Sequence, residues 1–185
     1  MKKTGFTLVE LLVVIGIIAV LVTLSMVGVN LAKAKARTAK ALHDIDVIYQ
    51  AIATLANDTN SWPGHQTAGQ VCSSSCAQRK ICGQDSSSAT CNFGVSDTSS
   101  GIIATDALYG GWSGPYMPSM PIDPWNHEYF FYTDYRVTNA DNQPCGTNDP
   151  VIDCRPAVVV GSYGPDGLGA PANVYGADDI IKIIK

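Results

Sequence analysis

From Leu8 to Val29 the chain runs through about 22 residues with one charged side chain, Glu10. A helix of that length spans a hydrocarbon layer. An ionisable group inside lipid costs at least about 2.5 kcal/mol and marks a partner. No Lys, Arg or His lies between Thr4 and Val29 to serve as that partner. Three readings compete. A cleaved secretory signal suits Lys2 and Lys3, and Ala32-Lys33-Ala34 resembles a cleavage site, but the usual apolar core is only about 7–15 residues. A plain transmembrane anchor makes Glu10 an accident near the membrane edge. A helix built to pack beside copies of itself accounts for more residues. Its counter-charge then comes from another chain, or from an amine created by cleavage.

The rest of the chain differs in composition. Residues 1–62 hold six cations against four acids, and residues 63–185 six cations against twelve acids. An acidic distal part argues against nucleic acid as its partner. Its acids are mostly Asp, a turn residue, so a loop-rich domain is expected. All six cysteines, Cys72, Cys76, Cys82, Cys91, Cys145 and Cys154, follow the apolar run. An even number in a tethered, loop-rich domain predicts disulfides and an oxidising outer compartment. The rival is zinc, but Cys72-x3-Cys76 followed by Cys82 matches no paired C-x2-C spacing.

No proline occurs before Pro63, so one helix can run from about Phe6 to about Asn57. Beyond Asn30, Leu42, Ile45, Ile48, Ile52 and Leu55 recur every three or four residues. They predict one apolar stripe lying against a sheet. Lys33, Lys35, Arg37 and Lys40 follow the apolar run, either as a solvated collar or as contacts for lipid headgroups or acidic neighbours. By cation count alone the carboxyl end would face the cytoplasm, whereas the cysteines place it outside. "NDTNSWPG" stops the helix. Ser99 or Ser100 is expected to cap a short helix through Leu108. "EYFFYTDYRV", "PAVVVGSY" and "IIKII" read as strands. Cys145 and Cys154 lie between the first two, which predicts a hairpin insertion closed by its own disulfide. The other four cysteines allow three pairings.

"KKTGFTLVELLVVIGIIAVL" resembles the class III signal of type IV pilins and pseudopilins: a short basic leader, Gly5, Phe6, then Glu10 and a long apolar run. The resemblance implies cleavage between Gly5 and Phe6 by prepilin peptidase and N-methylation of Phe6. The new Phe6 amine would be the counter-charge of Glu10 on a neighbouring subunit. It also implies the pilin fold, an α+β architecture in which a long N-terminal helix, half transmembrane and half amphipathic, packs on a small antiparallel sheet with disulfide-stapled loops. The expected divisions are a leader at 1–5, an assembly and transmembrane part at 6–29, an amphipathic half-helix at 30–57 and a globular head at 58–185. The family's distal transmembrane proline is missing, since that region reads "VTLSMVGVN".

"GPYMPSMPIDPWNHEYFFY", then "VVVGSYGPDGLG" and "ADDI", are similar to the major pseudopilin of type II secretion. There an Asp-Pro-Trp turn, here Asp123-Pro124-Trp125, leads into the sheet, and an S-x-G-x-D-G loop binds calcium. The matching positions are Ser162, Gly164, Asp166 and Gly167, then Asp179-Ile180 with Asp178 beside them. Calcium takes 6–8 oxygens, and a Gly-rich loop can turn several carbonyls inward beside these carboxylates. The implied metal residues are Ser162, Asp166, Asp178 and Asp179, with Asp123 as a turn former. The stretch from Gly64 to Ser100 and the Cys145 insertion have no counterpart in that resemblance, which keeps a true type IV pilin in play, with the secretion pseudopilin as the alternative.

The function expected is a non-catalytic filament subunit. Its partners would be copies of itself, prepilin peptidase, an inner-membrane assembly platform and, before assembly, the membrane. The precursor would sit in the inner membrane and the filament outside or in the periplasm. An anchored enzyme would have to use His43, His65 or His127, and neither G-x-S-x-G nor H-E-x-x-H is present. An anchored binding module would leave the Gly5-Phe6 junction unexplained.

Overall fold

The computed structural model describes residues 7–71, 80–81, 95–145, 154–167 and 178–185, with side chains at 24–28 and 80–81 outside that set. Gly5, Phe6, Cys72, Cys76, Cys82 and Cys91 therefore lie outside the described residues. The chain divides into two compact units, Met1–Thr38 and Ala39–Lys185.

One helix, α1 (Leu8–Thr59), contributes to both. In the first unit no described apolar side chain is buried: Leu8 is 78% exposed and Leu31 61%. A helix apolar on all sides needs lipid or other helices around it. Among the described residues no helix is long and apolar enough to cross a membrane. Residues 24–28, inside the expected span, contribute no described side chain.

The second unit is α+β. β1 (Ser61–Trp62) and β2 (Gln66–Thr67) form a small hairpin. β3 (Lys80–Ile81), β4 (Phe130–Thr138), β5 (Cys154–Ser162) and β6 (Ile180–Ile183) form an antiparallel sheet in that order. Ala41, Ile45, Ile48, Ile52 and Leu55 are buried along one helix stripe, and Ile45, Ile48, Ile52 and Leu55 pack with Tyr129, Phe131, Val158 and Val160 of the sheet region. Each fully buried aliphatic side chain contributes about 1.5–3 kcal/mol. The expected stripe was one residue out at its start: Leu42 is 47% exposed and Ala41 fills the inward position. Ala41 stands four residues before Ile45, whereas Leu42 is turned a further 100° or so around the axis.

The sheet has a second buried face: Phe130, Tyr132, Tyr135, Val137, Ala157, Val159 and Tyr163. Simple alternation would put Tyr135 and Val137 opposite Phe130 and Tyr132. A register shift between Tyr132 and Tyr135 restores them to the same side, as a bulge does. The rings of Phe130 and Tyr163 lie 4.5 Å apart, and the Tyr132 and Tyr163 hydroxyls are hydrogen-bonded at 2.6 Å.

The short helix expected from Ser99 or Ser100 to Leu108 is not formed. Only Thr98–Ser100 makes a 3-10 turn, and Gly101 ends it in the left-handed region at φ 73°. Ser100 and Ile102, on either side of Gly101, are fully buried. Ile102 joins the core, and its carbonyl accepts the Tyr116 N–H at 2.9 Å. Continuing the helix would give up both contacts.

Candidate functional site

Two places carry the expected site residues. The first is the start of α1. The Thr7 Oγ1 accepts the Glu10 N–H at 3.3 Å. In return Glu10 Oε2 accepts the Thr7 N–H at 2.9 Å and the Thr7 hydroxyl at 2.7 Å. This is a capping box, T-x-x-E, which satisfies otherwise orphaned backbone donors at the helix start. Thr7-Leu8-Val9-Glu10 carries that signal in the sequence. Glu10 therefore has a local task in addition to any partner it finds on another chain.

The second place is where β4, β5 and β6 converge. Asp123 is buried, 5% exposed, in the turn before β4. Its Oδ1 accepts the backbone N–H groups of Trp125 at 3.0 Å and His127 at 2.7 Å, the side-chain turn expected of Asp before Pro124. Its Oδ2 accepts the Ser162 hydroxyl at 2.6 Å, and Ser162 Oγ accepts the Gly164 N–H at 3.1 Å. The turn and the end of β5 are thus joined by one buried carboxylate, 39 residues away in sequence. Both residues were legible in the sequence; the bond between them, across 39 residues, was not.

Gly164 stands at φ +68°, and a Cβ there would lie 2.3 Å from the Asp178 carbonyl oxygen. Only glycine suits that backbone and that approach. The Asp166 N–H donates to Asp178 Oδ2 at 3.3 Å, so Asp166 and Asp178 are brought together. A Cβ at Gly167 would fall 2.2 Å from His127 Nε2, which places the imidazole against that glycine. Asp179 is turned inward, where the Tyr135 hydroxyl donates to Oδ2 at 2.6 Å. Among the described residues no three His, Cys, Asp or Glu side chains form a metal-holding group.

Cys145 and Cys154 form a disulfide across the β4–β5 connection, as expected. The Ser162 hydroxyl donates to Asp123 rather than to His127. His43 is exposed on α1.

His65 belongs to a separate cluster. Its Nε2 lies 2.8 Å from Asp106 Oδ2, its ring stacks 4.1 Å from Tyr109, and its N–H donates to the Tyr109 hydroxyl at 3.2 Å. That hydroxyl, pushed up to about 12 mainly by burial, stays neutral and donates to the Ser99 carbonyl at 2.7 Å. Burial works to raise the Asp106 carboxyl. The His65 hydrogen bond, the Leu108 N–H and the His65 charge outweigh it and hold the group below the ordinary Asp range. A depressed carboxyl stabilises the fold above its unfolded value, near pH 4, and that contribution is lost as pH falls through the folded value. The clasp between the β1–β2 hairpin and the Ser99–Tyr109 segment should therefore loosen below about pH 4. Asp106→Asn should flatten the acid side of the melting-temperature profile of the full chain in detergent. Parallel profiles for the two proteins below pH 4 or so would show that Asp106 makes no such contribution.

Residues 1–26 match the family model described as the prokaryotic N-terminal methylation motif. This is the class III prepilin signal of type IV pilins and pseudopilins. No curated protein and no solved structure matches the chain.

Proposed function

We propose that the chain is the precursor of a structural subunit of a type IV pilus or pilus-like filament. Prepilin peptidase cuts between Gly5 and Phe6, Phe6 is N-methylated, and subunits assemble through the apolar part of α1. The observation that carries this reading is the methylation motif at residues 1–26, continuous with a 52-residue helix whose first-unit apolar side chains are all exposed where described. The helix gives neighbouring copies an apolar surface, and the second unit supplies a stable outer head. Amino-terminal mass spectrometry of sheared filaments should find a chain starting at methylated Phe6. A filament protein starting at Met1, or no filament protein from this chain, rejects the reading.

The Asp123 turn and the Gly164 loop favour a second form of the same function, the major pseudopilin of a secretion system with calcium in that loop. The support is chemical: Asp166 and Asp178 offer hard carboxylate oxygen, and the Asp178 carbonyl lies against Gly164. The ion would offset the repulsion of these acids and fix the loop against β6. At 100 times its dissociation constant it would stabilise the protein by about 2.7 kcal/mol. Chelation should lower the melting temperature of the full chain in detergent, and Asp166→Ala should remove that response. Superimposable melts with and without chelator, and no calcium by elemental analysis, remove the ion from the proposal and leave the filament subunit intact.

A further inference from the structure

We propose that Lys33, Lys35 and Arg37 form a collar that binds the phosphates of anionic membrane lipids. The proposal rests on the reading above in one respect, that the apolar run enters a bilayer. All three side chains are exposed on α1 within the first unit. Among the described residues none of them makes an ion pair, whereas the next cation, Lys40, is bonded to Asp44 at 2.5 Å. No acidic residue stands between Glu10 and Asp44 to neutralise them. They alternate with Ala32, Ala34 and Ala36, which leave the long aliphatic stems free to bend toward a surface.

Position decides what the collar fits. Lys33 stands four residues beyond Val29, about 6 Å along the axis, and Arg37 about 12 Å. The headgroup layer on each side of a bilayer is about 5–8 Å deep. Lys33 and Lys35 thus lie in or at the edge of that layer, and Arg37 can reach it by snorkelling. At about 100° per residue, Lys33 and Arg37 share one side of the helix and Lys35 points to the other. A plane of phosphates surrounding the helix meets all three; one acidic protein partner lying along one face meets two. The collar also opposes the orientation that the cysteines indicate, because cations are disfavoured on the translocated side. Phosphate binding on that side gives these charges a use: it fixes the depth of the subunit before assembly.

The test delivers the full chain from dilute detergent into a mixture of phosphatidylcholine vesicles and denser vesicles doped with phosphatidylglycerol. The two populations are then separated and the protein in each is measured. Each cation near an anionic surface is expected to favour it about fivefold, so the collar should give a preference on the order of 100-fold at low salt. Added salt should reduce it. The combined Lys33→Gln, Lys35→Gln and Arg37→Gln variant should lose that factor and keep only the preference that Lys2 and Lys3, before the apolar run, contribute. Equal distribution of the unsubstituted chain overturns the collar, and so does an undiminished preference in the variant. A variant that keeps its lipid preference but forms no filaments assigns the cations to a neighbouring subunit and likewise rejects the proposal. If neither protein associates with any vesicle, it is the membrane reading of the apolar run that fails.

Discussion

Glu10→Ala and Glu10→Gln should both leave a folded, processed protein that forms almost no filaments. The two substitutions separate the two tasks that Glu10 can have. Its carboxylate closes a capping box with Thr7, and glutamine can fill that position as well. Alanine loses the carboxylate's half of the box and the charge, while the Thr7 hydroxyl can still accept its N–H; glutamine loses only the charge. If Glu10 serves the helix start alone, Glu10→Gln assembles normally and Thr7→Val is as damaging as Glu10→Ala. If it answers the Phe6 amine of a neighbour, both Glu10 variants fail and Thr7→Val is mild. A charge left unpaired in lipid costs at least about 2.5 kcal/mol, or on the order of 50-fold at every joint of the polymer. Counting filaments in sheared fractions, with total subunit measured in membranes, distinguishes these outcomes. Normal filament numbers from Glu10→Gln would end the charge-pairing account.

What the sequence made legible was periodic or local. Ile45, Ile48, Ile52 and Leu55 have helical spacing and face the core, and the three expected strands formed where their β-branched and aromatic residues predicted. The Cys145–Cys154 bridge followed from position alone. Long-range polar bonds had no periodic signal. Asp44 on α1 accepts the Tyr129 hydroxyl at 2.9 Å across 85 residues. Burial and that carboxylate push the Tyr129 hydroxyl well above its ordinary range, so it remains a donor. Lys182 reaches Asp46 at 2.6 Å and lies over the Tyr49 ring, tying β6 to the helix. The second aromatic face was hidden because a bulge resets the alternation inside β4. Within the candidate site, residue types were legible and their bonding was not. Ser162, Asp166 and Asp178 were grouped by resemblance, and the fold adds that Asp123 holds Ser162.

That bond makes Asp123 the most consequential polar residue of the second unit, and Asp123→Ala should be its most destabilising polar substitution. The carboxylate is buried and accepts three hydrogen bonds, from the N–H groups of Trp125 and His127 and from the Ser162 hydroxyl. Hydrogen bonds to a charged group contribute about 1.5–3 kcal/mol each, and buried donors left without an acceptor add to the loss. With water recovering part of it, the expected cost is on the order of 3–5 kcal/mol, or about 10 °C in melting temperature for a domain of this size. Asp123→Asn should cost less, because one oxygen can still accept both turn N–H groups while the new amide cannot accept from Ser162. Ser162→Ala should fall between the native protein and Asp123→Ala, since it removes the link to β5 but spares the turn. Asp141→Ala, at an exposed acid whose bonds among the described residues stay within its own turn, is the control and should shift melting little. The order Asp123→Ala, then Ser162→Ala, then Asp141→Ala is read from thermal melts of the full chain in detergent. If Asp123→Ala melts with Asp141→Ala, the carboxylate does not hold the turn to the sheet.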